Sequence, residues 1–247
     1  FRAQKLTAAK LVKLMIEAQL RQHGSYRVIT EHLRSSESFQ QVLDLASISE
    51  SQISRKLRAI PYTYSQTLFL KAVQKLRHLT QDRKGIPGLG KLSIIDSSEL
   101  TLPTVAGQWA YCSKPKNAVK MPTRLIVTDR DTVFPDRIIA STADVADSEV
   151  AVDLVVADDA IYVMDRGYIV YKNYKAWADQ NIRFVARIQK RNKTVTVRER
   201  PVPEASKVLR DADVKVSFTD NGETVEVELR LVEFTDEIER ASCRERV

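Results

Sequence analysis

Two short, mostly apolar runs in this chain each end on an acid. Leu92-Ser-Ile-Ile95 leads straight into Asp96, and Ile161-Tyr-Val-Met164 leads into Asp165. Runs of this length and composition read as buried strands. A carboxylate at the end of such a strand is costly to desolvate unless it is paired or bound to a cation. If the two strands are parallel neighbours, their C-terminal ends set the two aspartates side by side despite their separation in sequence. Adjacent carboxylates repel, and oxygen ligands with open positions suit Mg2+ or Mn2+. One such aspartate reads most simply as a turn cap. Two at matching strand ends point to metal chemistry, with two ions about 3.5–4 Å apart as the expected cofactor.

The surrounding pattern says what sheet would hold them. Residues 92–192 read as an α/β unit: strands at Leu92–Ile95, Thr123–Val127 and Val133–Ala140, with a polar turn at Thr128–Thr132 between the last two. A helix at Ser148–Val156, the strand Ile161–Met164, a helix at Tyr171–Gln180 and a strand at Arg183–Ile188 follow. Three strands, helix, strand, helix, strand fits a ribonuclease H-like mixed sheet with flanking helices. Residues 193–236 read as β-rich: Val214, Val216 and Phe218 alternate, Asn221-Gly222 supplies a hairpin turn, and Val225, Val227, Leu229 and Leu231 alternate again. An Asn-Gly pair between alternating runs is a strong hairpin signal.

Residues 1–84 read as all helical, with helices at 5–22, Tyr26–Leu33, Phe39–Leu45, Glu50–Ala59 and Ser65–Leu79. Residues 85–91, Gly-Ile-Pro-Gly-Leu-Gly-Lys, are expected to be a linker. They also match the opening of a phosphate-binding loop, but Leu92 stands where that loop needs a Ser or Thr hydroxyl, and a strand follows instead of a helix. The fold class expected is therefore α+β or α/β, a helical head joined to a mixed sheet with a β-rich insertion.

Charge divides along the same line. Residues 1–91 carry 16 Lys+Arg against 6 Asp+Glu, whereas acids outnumber bases in the remainder. An anionic partner for the head follows. Within it, Ser47–Arg58 looks like the recognition helix of a helix-turn-helix. Ile53 and Leu57 would pack inward while Ser51, Gln52, Arg55 and Arg58 face out, with Lys56 available to a phosphate. A second basic run, Arg183–Arg200, holds Arg187, Lys190 and Arg191 among seven bases against Glu199 alone, and is expected to track a phosphate backbone. Trp109 and Trp177 are expected in the core. The three histidines fall in the helical head and are expected to pack or face solvent. No apolar run approaches the roughly 18 residues of a membrane span. Two cysteines, Cys112 and Cys243, cannot build a disulfide framework, so a reducing, cytoplasmic setting without membrane contact is expected.

Asp165-Arg166-Gly167-Tyr168, Tyr171 through Trp177 and Ile182–Arg187 together resemble the second catalytic block of the insertion-sequence-four family of DDE transposases. Ile95-Asp96-Ser97-Ser98 resembles the first block, and Asn117–Met121 the Lys-containing stretch between them. The resemblance implies Asp96 and Asp165 as catalytic metal ligands and a β-rich insertion after Lys193; Arg166 and Tyr168, beside the second aspartate, are expected to contact a DNA end, with Tyr168 stacking on a base. The resemblance also implies double-stranded DNA as partner, at terminal inverted repeats and at a target, and a homodimer in the synaptic complex. That family's third ligand is a Glu in a Tyr-Arg-Glu block. Glu237, Glu239 and Glu245 lack the Tyr and Arg, so residues 237–247 are expected to be an atypical tail of a truncated chain. Two alternatives stay open: a catalytically incomplete DNA-binding derivative, and a metal-dependent nuclease of the same fold.

Overall fold

The computed structural model describes residues 5–105, 107–113, 116–158, 160–188, 193–204 and 206–234. The chain divides into two compact units, residues 1–75 and 76–247.

The first unit is helical: α1 (Ala8–Leu20), α2 (Tyr26–Ser35), α3 (Glu37–Leu43) and α4 (Glu50–Ala59), with α5 (Tyr62–Leu79) running across the division. The first four helices all start on a hydroxyl. Thr7, Ser25, Ser36 and Ser49 accept from the backbone N–H groups of Lys10, Val28, Phe39 and Gln52, which satisfies donors the helix cannot. Apolar residues at helical spacing close the core, with Leu14, Leu33, Leu43 and Ile53 at its centre. Ile53 is fully buried and Leu57 packs against that core, as expected for the inward face of α4.

The second unit holds two sheets. The larger is built from β1 (Leu92–Leu102), β2 (Tyr111–Ser113), β3 (Lys116–Val127), β4 (Val133–Ile138), β5 (Ser141–Thr142), β6 (Ile161–Met164) and β7 (Arg183–Ala186). Its order is β2-β3-β1-β6-β7, with β4 and β5 also paired to β3. β1 runs antiparallel to β3 and parallel to β6, and β6 parallel to β7. Helices α6 (Asp147–Leu154) and α7 (Tyr171–Asp179) make the crossovers. The arrangement is a mixed α+β fold consistent with the ribonuclease H-like layout. Its core gathers Ile95, Leu154, Tyr162, Tyr174 and Trp177.

The smaller sheet, β10-β9-β8, is antiparallel: β8 (Val195–Glu199), β9 (Val208–Asp220) and β10 (Glu223–Phe234). The β9–β10 hairpin turns at Asn221 and Gly222, both at positive φ (51° and 87°), the backbone a two-residue primed turn requires. α7 packs against β9 and β10, with Tyr171 and Phe218 stacked at a centroid distance of 6.5 Å.

Three expectations are corrected, and the joining segment 85–91 takes a definite shape. β1 does not stop before Asp96 but runs on to Leu102, its outer half exposed and paired only with β3. β3 begins at Lys116 and carries Pro122 in its interior, opposite Ser97. Within residues 85–91 the chain makes a tight turn: Ile86 and Gly90 exchange backbone hydrogen bonds of 2.8 Å, and Gly85 N donates to Thr128 O at 3.0 Å. A Cβ on Gly85 would lie 2.0 Å from the Gly90 carbonyl carbon, so only glycine closes this turn. Trp109 is 70% exposed and no part of the core.

One buried ion pair stiffens the large sheet. Arg124 on β3 grips Asp136 on β4 through Nε at 2.8 Å and Nη2 at 2.6 Å, with the Asp136 side chain fully buried. Its third nitrogen donates to Leu154 O at 2.9 Å, capping the end of α6, and to the Tyr162 hydroxyl at 3.4 Å. Arg77 also pairs with Asp136. Burial alone would raise the Asp136 carboxyl, but the hydrogen bonds from Arg124 and Arg77 outweigh it and hold the group below the usual carboxylate range.

Candidate active site

The parallel register assembles the site. Ile95 of β1 is the partner of Met164 of β6, and Met164 is the partner of Ala186 of β7. One residue further along all three strands stand Asp96, Asp165 and Arg187, a row of two acids and a base at one edge of the sheet. Arg187 extends the pairing by donating its N–H to Met164 O at 3.4 Å. The β6 strand ends at Met164, so Asp165 leaves the ladder and caps the 3-10 turn Arg166–Tyr168, its Oδ1 accepting from Gly167 N at 2.6 Å. Asp96 stays in β1, opposite Thr123 of β3, and its Oδ1 accepts from Ser97 N at 2.8 Å. Both aspartates are exposed.

A third acid that the sequence pattern did not single out stands near Asp165. Asp147 is the first residue of α6, which packs against the Arg166–Tyr168 turn and β1. A Cβ built on Gly167 would stand 3.0 Å from Asp165 Oδ1 and 3.9 Å from Asp147 Oδ2, so both carboxylates crowd the same bare Cα. Lys120 of β3 reaches Asp147 Oδ1 at 3.4 Å and donates to Val145 O at 3.2 Å. Only Ala146 precedes the helix, with no capping side chain, and Asp147 then reads as a polar lead-in. Its one sequence signal was an acid in a helix's first turn, where the dipole favours it.

Tyr168 is placed otherwise than expected. It is 1% exposed and part of the core, so no base can stack on it. Burial first, and then the negative charge of Asp147, Asp96 and Asp165, push its phenol well above the ordinary range; it stays a donor across working pH.

The other expected residues scatter. Ser51, Gln52, Arg55, Lys56 and Arg58 lie on α4 in the first unit. Gln52 is committed to the capping box, its Oε1 accepting from Ser49 N at 3.1 Å and Ser49 Oγ at 3.0 Å, which removes the acceptor a two-point contact to adenine needs. Arg55 donates to Ser51 O of its own helix at 3.2 Å, and Arg55 and Arg58 are exposed. In the second basic run, Arg198 and Arg200 both grip Asp213, each through Nη2 at 2.7 Å, and are taken up by the small sheet. Lys190 and Arg191 lie outside the described residues.

Among the described residues no group of three or more His, Cys, Asp or Glu converges closely enough to hold a metal ion. The pair Asp96 and Asp165 nevertheless has the chemistry a hard cation takes: exposed carboxylates at neighbouring register positions, each with one oxygen fixed by a backbone N–H.

The transposase DDE domain family matches residues 87–237, which include both aspartates and the whole described sheet region. "Putative transposase y4zB" of Sinorhizobium fredii (strain NBRC 101917 / NGR234) is 28% identical over 134 residues, 53% of this chain. The match spans only 36% of that protein's length. On the family match the chain belongs to the DDE-domain transposases.

Proposed function

We propose that this chain is a transposase of the insertion-sequence-four kind, cutting and joining DNA at the ends of a mobile element. The observation that carries the reading is the strand register that sets Asp96 beside Asp165 at the edge of the sheet. These two side chains would hold Mg2+ or Mn2+. When bound, such ions supply activation of a water or 3′-hydroxyl and stabilisation of the leaving oxygen in an in-line displacement at phosphorus.

The chain's own residues do the rest. The acids concentrate negative charge at one sheet edge, where no phosphate would stay without a counter-charge. Arg187, next in the row, and Arg166, beside Asp165, bring positive charge to the DNA backbone. Asp165 is held by the Gly167 N–H, so its orientation does not depend on substrate. The basic head, residues 1–84 with α4 as the reading helix, binds the terminal inverted repeats through Ser51, Arg55, Lys56 and Arg58. The segment 85–91 joins it to the catalytic core 92–192, and 193–236 is an insertion in that core. Two chains pair when two element ends are brought together, and the work is done in the cytoplasm.

Asp96→Ala tests the reading. Nicking of an end-containing duplex with Mg2+ should vanish while binding of that duplex persists. Equal loss of both in a folded variant would refute the assignment. Joining of a pre-cut 3′ end to a second duplex separates transposition from simple nuclease action.

A further inference from the structure

The proposed chemistry leaves one buried group unused. The Tyr168 hydroxyl has no hydrogen-bond partner, although the residue is almost wholly buried and a buried phenol ordinarily finds an acceptor. Its 3-10 turn is capped by Asp165 and packs against α6, whose first residue is Asp147. Asp147 Oδ1 is likewise buried without a hydrogen bond, its Lys120 neighbour standing 3.4 Å away. A buried donor without an acceptor thus lies in a turn flanked by Asp165 and by the helix that Asp147 begins, and Asp147 has an acceptor to spare.

We propose that Tyr168 is a positioning residue of this acidic centre: its hydroxyl, working with Asp147, is the internal donor that orients the carboxylates when the outer face engages a cation. This rests on the metal reading above. The ring is locked in the core with Ile95, Met164 and Tyr174, so the hydroxyl cannot swing away. Gly167 has no Cβ to keep Asp165 and Asp147 apart. Lys120 holds Asp147 from one side, leaving its remaining lone pairs to the phenol. A fixed donor behind ligating carboxylates sets their angle and raises the affinity of the site, as second-layer hydrogen bonds do elsewhere.

The test is Mn2+ titrated calorimetrically into the full chain, alongside thermal melts without metal. Tyr168→Phe removes the hydroxyl and keeps the ring. It should weaken Mn2+ binding by about ten- to a hundredfold. Its metal-free melting temperature should hold or rise, because an unpartnered buried hydroxyl is deleted. Asp147→Asn should weaken binding similarly, and the double variant should bind no worse than the weaker single one, as members of one network do. Additive losses would overturn the joint role. Wild-type affinity in Tyr168→Phe, with Asp96→Ala unable to bind, would overturn the proposal and leave the metal reading standing. Equal binding by wild type and Asp96→Ala would bring down both.

Discussion

The two sheets of the second unit treat aspartate in opposite ways. In β8–β10, Asp211 is gripped by Arg230 at 2.6 Å and Asp213 by both Arg198 and Arg200 at 2.7 Å. In the large sheet Asp136 is closed in by Arg124. Asp96 and Asp165, in contrast, are exposed, and among the described residues neither has a Lys or Arg in ion-pair range. Acids that hold strands together come with a guanidinium at a fixed angle. The two at the edge of the parallel strands come with another carboxylate, an arrangement that adds nothing to folding. The difference separates charge tied up within the fold from charge that, among the described residues, no cation answers.

The largest effect should come from the second kind. Asp96→Ala or Asp165→Ala should remove detectable DNA nicking, read on a labelled duplex, with circular dichroism and melting nearly unchanged. A variant that unfolds would place these acids with the structural set and break the contrast.

Next should come Asp136→Ala. It leaves Arg124 buried with no carboxylate, and breaking a buried pair by removing one member costs about 3–5 kcal/mol, readable by urea unfolding. Arg124 also caps α6 and touches Tyr162, so the damage should reach the helix that carries Asp147. A loss under about 1 kcal/mol would mean the pair behaves as a surface one.

Acid titration gives a smaller, graded version. The Asp136, Asp211 and Asp213 carboxyls all lie below their ordinary value of 3.8: Asp136 because its arginine hydrogen bonds outweigh burial, Asp211 through Arg230, and Asp213 through Arg200 and then Arg198. A carboxyl depressed by folding stabilises the folded state fully above its unfolded value, and the contribution fades as pH falls through the lower folded one. Melting temperature should therefore be flat down to about pH 4 and drop steeply below it. The drop should be shallower in Asp213→Asn, and an unchanged acid limb there would show that Asp213 contributes nothing.

How far this was legible in the sequence follows from the range of the interactions involved. The β9–β10 hairpin was readable because Asn221-Gly222 carries its own turn geometry. The Asp96–Asp165 row was readable because apolar runs mark parallel strands buried on both faces. The outer half of β1 was not. Ser98-Glu99-Leu100-Thr101 is exposed and paired to β3 alone, so it shows no alternation, and Pro122 made its partner strand look interrupted. Asp147 escaped because its meaning lies in a neighbour, the missing Cβ of Gly167, that no spacing along the chain reveals. Gln52 misled for a similar reason: its spacing on α4 suited a DNA contact, while its amide was already spent on the helix's own cap.

The finest discrimination is Asp165→Asn. The substitution keeps the oxygen that accepts from Gly167 N and removes the charge facing Asp96. With no cation partner lost and one repulsion relieved, stability should change by no more than about 0.5 kcal/mol, the range of ordinary surface substitutions, and in the direction of a gain. The same change at Asp213 strips two arginines of their partner and should lower stability. Chemical denaturation of the two variants beside wild type measures the contrast directly. If Asp165→Asn fell as far as Asp213→Asn, the carboxylate row would be structural after all, with Arg187 as its hidden counterpart across β7.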